Sequence, residues 1–122
     1  MEASISTRRD GVVPVVDVSG EIDLYTSPKL KAALDELLAT GQVHFLVNLL
    51  DTTYLDSTAL SILTSALKHV QGAGGMLGLV FNQPQIDRIF TITGLKDVFP
   101  TFVSQAEALA GARAWEKVAS KE

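Results

Sequence analysis

The 122-residue chain is long enough for one domain with its own core and short for two. Hydrophobic residues at 47% exclude a disordered polyelectrolyte, and the absence of cysteine excludes disulfides, thiolate catalysis and sulfur-ligated metals, which suits a reducing compartment. Fourteen Asp and Glu against ten Lys and Arg give a net charge of −4 with the cations scattered along the chain, so no nucleic-acid partner is expected.

The opening Met1-Glu2-Ala3-Ser4 lacks the basic and then apolar regions of a secretion signal. The most apolar later run, Ala73 to Phe81, carries three glycines and falls far short of the roughly eighteen residues of a membrane span. A cytoplasmic protein without a membrane span is expected. Ile5 to Arg9 and Val12 to Val18 read as strands of a hairpin about Asp10-Gly11, with Ser19-Gly20 ending the second. Ser27 is placed to cap a helix and Pro28 suits its first turn. Leu30, Ala33, Leu34, Leu37 and Leu38 continue at helical spacing until Gly41. Val43 to Leu50 is apolar on both alternating faces apart from His44 and Asn48, the pattern of a central strand covered on both sides.

Asp51 to Asp56 reads as a loop leading to a second helix, Ser57 to Gln71, ended by Gly72. Gly75 to Phe81 reads as another buried strand. Pro84 opens a third helix with Ile86, Ile89 and Phe90 inward and Gly94 as its stop. Val98 to Val103 contains Pro100, which suits a short edge strand. Ser104 and Glu107 form a capping box for a last helix towards Ala119. A hairpin followed by alternating helices and strands predicts an α/β fold with a mostly parallel mixed sheet and about four helices.

The stretch richest in chemical information is Asp51 to Lys68. Ala59, Leu60, Leu63, Ala66, Leu67 and Val70 form an apolar stripe whose plain role is core. The opposite face holds Ser57, Ser61, Thr64, Ser65 and Lys68, four hydroxyls and one cation. Such a face can lie against a partner protein without desolvating many charges, or can be covered by the protein itself. Ser57 stands at a helix start just beyond the carboxyl end of the central strand, an edge where open α/β sheets meet ligands. Asp56 and Ser57 are both favoured N-caps, so capping competes with chemistry as the role of Ser57. The two histidines, His44 and His69, are isolated, and no spacing resembles a metal site.

Two segments together resemble the STAS family. Gly20-Glu21-Ile22-Asp23-Leu24 followed by Ser27-Pro28-Lys29-Leu30 is similar to its Gly-Glu-(Leu/Ile)-Asp segment and first helix. Leu55-Asp56-Ser57-Thr58-x-Leu60, preceded by Asp51, is similar to its Asp-Ser-(Ser/Thr)-Gly-Leu signature. Their separation, Gly74-Gly75 and Gly94-Leu95 also match, so the likeness runs from about residue 4 to residue 110. It implies a single STAS domain over residues 1–122, with a core at about 4–110 and a C-terminal helix extension, 111–122, containing Trp115. Within the family the nearest likeness is to free-standing anti-sigma factor antagonists of bacteria.

The resemblance implies a regulated binding protein without a catalytic residue or cofactor of its own. Unphosphorylated, it would bind an anti-sigma factor serine kinase and so release a sigma factor. The kinase, with its own ATP and magnesium, would end the contact by phosphorylating Ser57, with Thr58 as second choice, and a PP2C-type phosphatase would reset it. Asp23 and Asp56 match acidic positions beside the acceptor, and Ser61, Thr64 and Ser65 would extend the partner surface. Ala59 stands where the family usually has glycine, as Ser61 often does, which should firm the helix by up to about 1 kcal/mol and add bulk on or near the docking surface. Trp115 is expected to pack on the domain.

Other readings compete. A receiver domain would use Asp51 as phosphoacceptor, but Asp17 stands alone where such domains need an acidic pair, and no lysine lies between Val103 and the last helix. A serine hydrolase would need a base at Ser57. His44 would lie about 20 Å away along the strand and His69 roughly 18 Å along the helix. A stressosome scaffold or an accessory subunit of a lipid-transport complex would keep the STAS fold with a different role.

Overall fold

The computed structural model describes residues 3–120, with side chains described as far as Trp115. An antiparallel hairpin of β1 (Ser4–Asp10) and β2 (Val13–Ile22) opens the chain, with Asp10 opposite Val13 and Gly11-Val12 as its turn. Val12 is therefore a 59% exposed turn residue rather than the first of its strand. Helix α1 (Ser27–Ala39) follows, then β3 (His44–Leu55), α2 (Ser57–Gly72), β4 (Met76–Val80), α3 (Pro84–Ile92), a single 3₁₀ turn (Leu95–Asp97), β5 (Thr101–Phe102) and α4 (Gln105–Ser120). The strands pair in sequence order, β1-β2-β3-β4-β5, and every pairing after the hairpin is parallel. This mixed α/β sheet with four helices is the expected architecture. The order excludes the receiver reading, because a receiver sheet has strand order 2-1-3-4-5 and no N-terminal hairpin. Asp51 lies within β3, beside Ser19 of β2, not at a strand end.

Two cores divide the sheet. One face packs Val16, Val18, Val47, Leu49 and Leu77 against Leu30 and Leu34 of α1, Leu63 and Leu67 of α2 and Phe90 of α3. The other packs Val13, Val15, Leu46 and Val80 against Ala108 and Ala112 of α4. Alternation of side chains along β2 and β3 supplies both faces, which explains why the central strands carry so little polarity. Trp115 packs here, its ring centroid 6.1 Å from that of Phe102, and a Cβ on Gly78 would come within 2.8 Å of the indole. The polar exceptions are joined to one another: Asp17 accepts from Arg8 Nε at 2.6 Å and from Asn48 Nδ2 at 2.9 Å, while Arg8 also donates to Gln105 at the start of α4.

Several boundaries differ from expectation. β2 continues past Ser19-Gly20 to Ile22, with irregular register around Asp17–Ser19 and Gly20–Glu21; Gly20 sits at φ +83°, a conformation open to glycine. β3 runs on through Leu55, so the anticipated loop at Asp51–Asp56 is mostly strand. Beyond Asn48 it has lost β4 as a partner, and Gln83 Nε2 covers its free edge by donating to the carbonyls of Leu49 (2.7 Å) and Thr52 (2.6 Å). The edge strand expected over Val98–Val103 shrinks to Thr101–Phe102, as Val98 N and Phe99 N both donate to Leu95 O and belong to the preceding turn. Ser104 Oγ accepts from Glu107 N at 3.2 Å, which is the Ser half of the anticipated capping box. Within the C-terminal extension, 111–122, residues 121 and 122 lie outside the described residues.

Candidate functional site

The carboxyl ends of β2 and β3 lie side by side, with Ile22 opposite Leu55. Beyond them the two chains stay tied, because Asp56 N donates to Ile22 O at 3.1 Å. The β2–α1 loop carrying Asp23 and the junction carrying Asp56 and Ser57 therefore form one rim of the sheet. The sequence places these residues far apart, and the parallel pairing brings them together.

At the start of α2 the cap is Asp56, whose Oδ1 accepts from Ala59 N at 3.0 Å. That removes the competition between capping and chemistry: the carboxylate satisfies the helix end, and the Ser57 side chain stands in the first helical turn, exposed. Among the described residues the Ser57 hydroxyl has no hydrogen bond to the protein. It stands at the positive end of the α2 dipole, which favours added negative charge. Thr58, the second choice, is half-buried and turned into a groove of about 320 Å³ between α1 and α2.

Asp23 is less free than a simple acidic contact residue. Its Oδ1 accepts from the backbone N–H of Tyr25 (2.9 Å) and Thr26 (3.0 Å) and lies 3.1 Å from the Thr26 hydroxyl. These bonds, those from Thr26 foremost, hold the carboxyl below its ordinary pKa of 3.8, so it is charged at neutral pH. The cap residue of α1 is Thr26; Ser27, expected in that role, is buried as the first helical residue, with its hydroxyl 3.4 Å from Leu24 O. Thr26 lacks a side-chain cap bond because its hydroxyl is engaged with Asp23 N (2.8 Å) and Glu21 O (3.0 Å).

Along α2 the hydroxyl face is less uniform than its spacing suggests. Ser61 and Ser65 are exposed along the groove shared with Leu34 and Leu38 of α1. Thr64 is half-buried, and its hydroxyl donates to Leu60 O at 2.8 Å, which leaves its oxygen free only to accept. Ala59 is fully buried in the main core. Its methyl group adds no bulk to the surface, contrary to expectation, because the position lies on the apolar stripe with Leu63. Two residues that sequence spacing did not single out complete the rim: Leu24 is 63% and Tyr25 86% exposed. His44 stands at the amino end of β3, the end remote from Ser57, and His69 lies three turns down α2, so neither can act as a base at Ser57. No group of three potential metal-ligating side chains occurs among the described residues.

A sequence description of the STAS domain matches residues 4–108. The chain is 39% identical over 83 residues to the anti-sigma-B factor antagonist of Bacillus subtilis, covering 68% of this chain and 75% of that protein. It is 35% identical over 98 residues to the anti-sigma-B factor antagonist of Staphylococcus aureus, covering 80% and 91%. Its fold superposes with a TM-score of 0.85 on the crystal structure of an anti-sigma factor antagonist from Mycobacterium paratuberculosis, at 29% identity over 92% of this chain and 95% of that one.

Proposed function

We propose, since the chain belongs to the STAS domain family, that it is an anti-sigma factor antagonist switched at Ser57. In this reading the unmodified protein docks an anti-sigma factor through the rim formed by Asp23, Asp56 and the start of α2, and a sigma factor is thereby released. The anti-sigma factor is a serine kinase that transfers phosphate from its own ATP to the Ser57 hydroxyl. A PP2C-type phosphatase removes it. The chain itself performs no catalysis, and it works in the cytoplasm, where sigma factors act; no helix among its described residues is long and apolar enough to cross a membrane.

The observation that carries this reading is the exposed Ser57 hydroxyl beside a cap already filled by Asp56. A phosphoserine brings about −1.5 to −2 charges. The helix dipole tolerates that charge in the free protein. In a docked complex the charge sits with Asp23 and Asp56 in a partly desolvated contact, where juxtaposed like charges cost several kcal/mol, or several powers of ten in affinity.

Purification of the tagged chain from its own cells, with phosphosite mapping, tests the assignment. A kinase-type anti-sigma factor should co-purify, and phosphate should map to Ser57. The Ser57→Ala protein should retain the kinase and carry no phosphate there. Recovery of a stressosome or a transporter instead, or phosphate confined to other residues, would overturn it.

A further inference from the structure

Tyr25 and Leu24 are the most conspicuous apolar side chains on the functional rim, and the backbone that presents them is rigidly built. Asp23 Oδ1 receives the N–H groups of Tyr25 and Thr26, Asp23 N donates to the Thr26 hydroxyl, and Ser27 N donates to Asp23 O at 2.8 Å. A four-residue loop so fully hydrogen-bonded has no need of two large apolar groups in water for its own stability. A fixed backbone carrying exposed aromatic and aliphatic side chains is the arrangement of a binding anchor, because little conformational entropy remains to be lost on docking. Tyrosine suits the role, since it offers a large rigid contact area with only two side-chain torsions.

We infer that Leu24 and Tyr25 are the apolar anchor by which the kinase partner grips this chain, holding Ser57 within reach of the phosphate donor. The inference rests on the function proposed above and adds the chemistry of the partner's face. Glu21 and Asp23 precede the anchor in the chain, and the Asp56 N to Ile22 O bond ties the loop to the start of the acceptor helix, where Asp56 adds a third carboxylate to the rim. The complementary surface is therefore an apolar hollow bordered by Arg or Lys. The three carboxylates of this rim argue against a second copy of this chain as occupant, since two such rims would repel.

The test uses the anti-sigma factor kinase recovered with the wild-type chain, purified, with calorimetric affinity and the kinetics of Ser57 phosphorylation as readouts. Tyr25→Ala and Leu24→Ala should each weaken binding about 30-fold or more and raise the KM for phosphorylation with kcat within about twofold. Tyr25→Phe should stay within about threefold of wild type, because the ring is the anchor. Ile92→Ala, which removes a side chain 76% exposed on α3, should change neither quantity. Alanine variants binding within about threefold of wild type, a fall in kcat without a rise in KM, or a wild-type dimer dispersed by Tyr25→Ala would each overturn the anchor while leaving the Ser57 reading in place. A wild-type chain that binds no kinase and gains no phosphate would remove the underlying function and the anchor with it.

Discussion

Asp56 and Ser57 divide two tasks that either residue type could perform. Asp56 closes the helix end through Ala59 N, so Asp56→Ala should cost about 1 kcal/mol in chemical denaturation, the usual cost of a lost N-cap. Ser57→Ala should cost much less, since its hydroxyl bonds to nothing among the described residues. Equal losses for the two variants would show that Ser57 shares the capping. Asp23 offers a pH signature. Its folded pKa is depressed below 3.8, so its bonds add stability that is complete above that value and is lost as pH falls through the lower, folded pKa. The Tyr25 and Thr26 amide resonances, whose N–H groups meet its Oδ1, should titrate together with a midpoint below 3.8, and should not do so in Asp23→Asn. A midpoint at or above 3.8 would contradict the bonding described for the loop. Ser57 was picked out by the likeness of Leu55-Asp56-Ser57-Thr58 to a family signature, whereas residue type alone left it divided between capping and chemistry. Leu24 and Tyr25 were not: their exposure depends on a turn set by the Asp23 and Thr26 side chains, and periodicity does not register such a turn.

At the scale of elements, the helices and the buried strands followed from apolar spacing, while strand ends did not. Asp51-Thr52-Thr53-Tyr54 mixes turn and β preferences, and the choice was made by distant groups: β2 on one side and the Gln83 amide on the other. Ala59 shows the same dependence, since whether its methyl faces core or partner is decided by the packing of α2 on the sheet. The placement of α4 separates stability from function. Trp115 and Phe102 fill space left by Gly78 on the sheet face opposite α1 and α2. Trp115→Ala should therefore destabilise the fold by about 2 kcal/mol, less than a fully buried aromatic because the indole is half-buried. The same variant should bind the kinase as wild type does. Weakened binding in a fully folded Trp115→Ala protein would place α4 in the interface and contradict this division.

For the whole molecule, the sheet forms the base and the proposed switch lies at its rim. The strand order has no reversal, the point at which open α/β sheets form a ligand crevice, and the candidate site lies instead on the exposed rim. A negative group at Ser57 meets a helix dipole in its favour and no buried neighbour to displace, so phosphorylation should act between molecules rather than within this one. The Ser57→Asp protein should keep the full dispersion of its amide spectrum, with shifts limited to the starts of α1 and α2; a general collapse would mean that the charge acts by unfolding. Whether the phosphate acts between molecules is decided by the affinity of one anti-sigma factor kinase for the chain before and after stoichiometric phosphorylation at Ser57, measured calorimetrically with both forms verified as folded. The phosphorylated chain should bind at least about 100-fold more weakly than the equally folded unmodified chain. Equal affinities would show that charge at Ser57 does not govern docking.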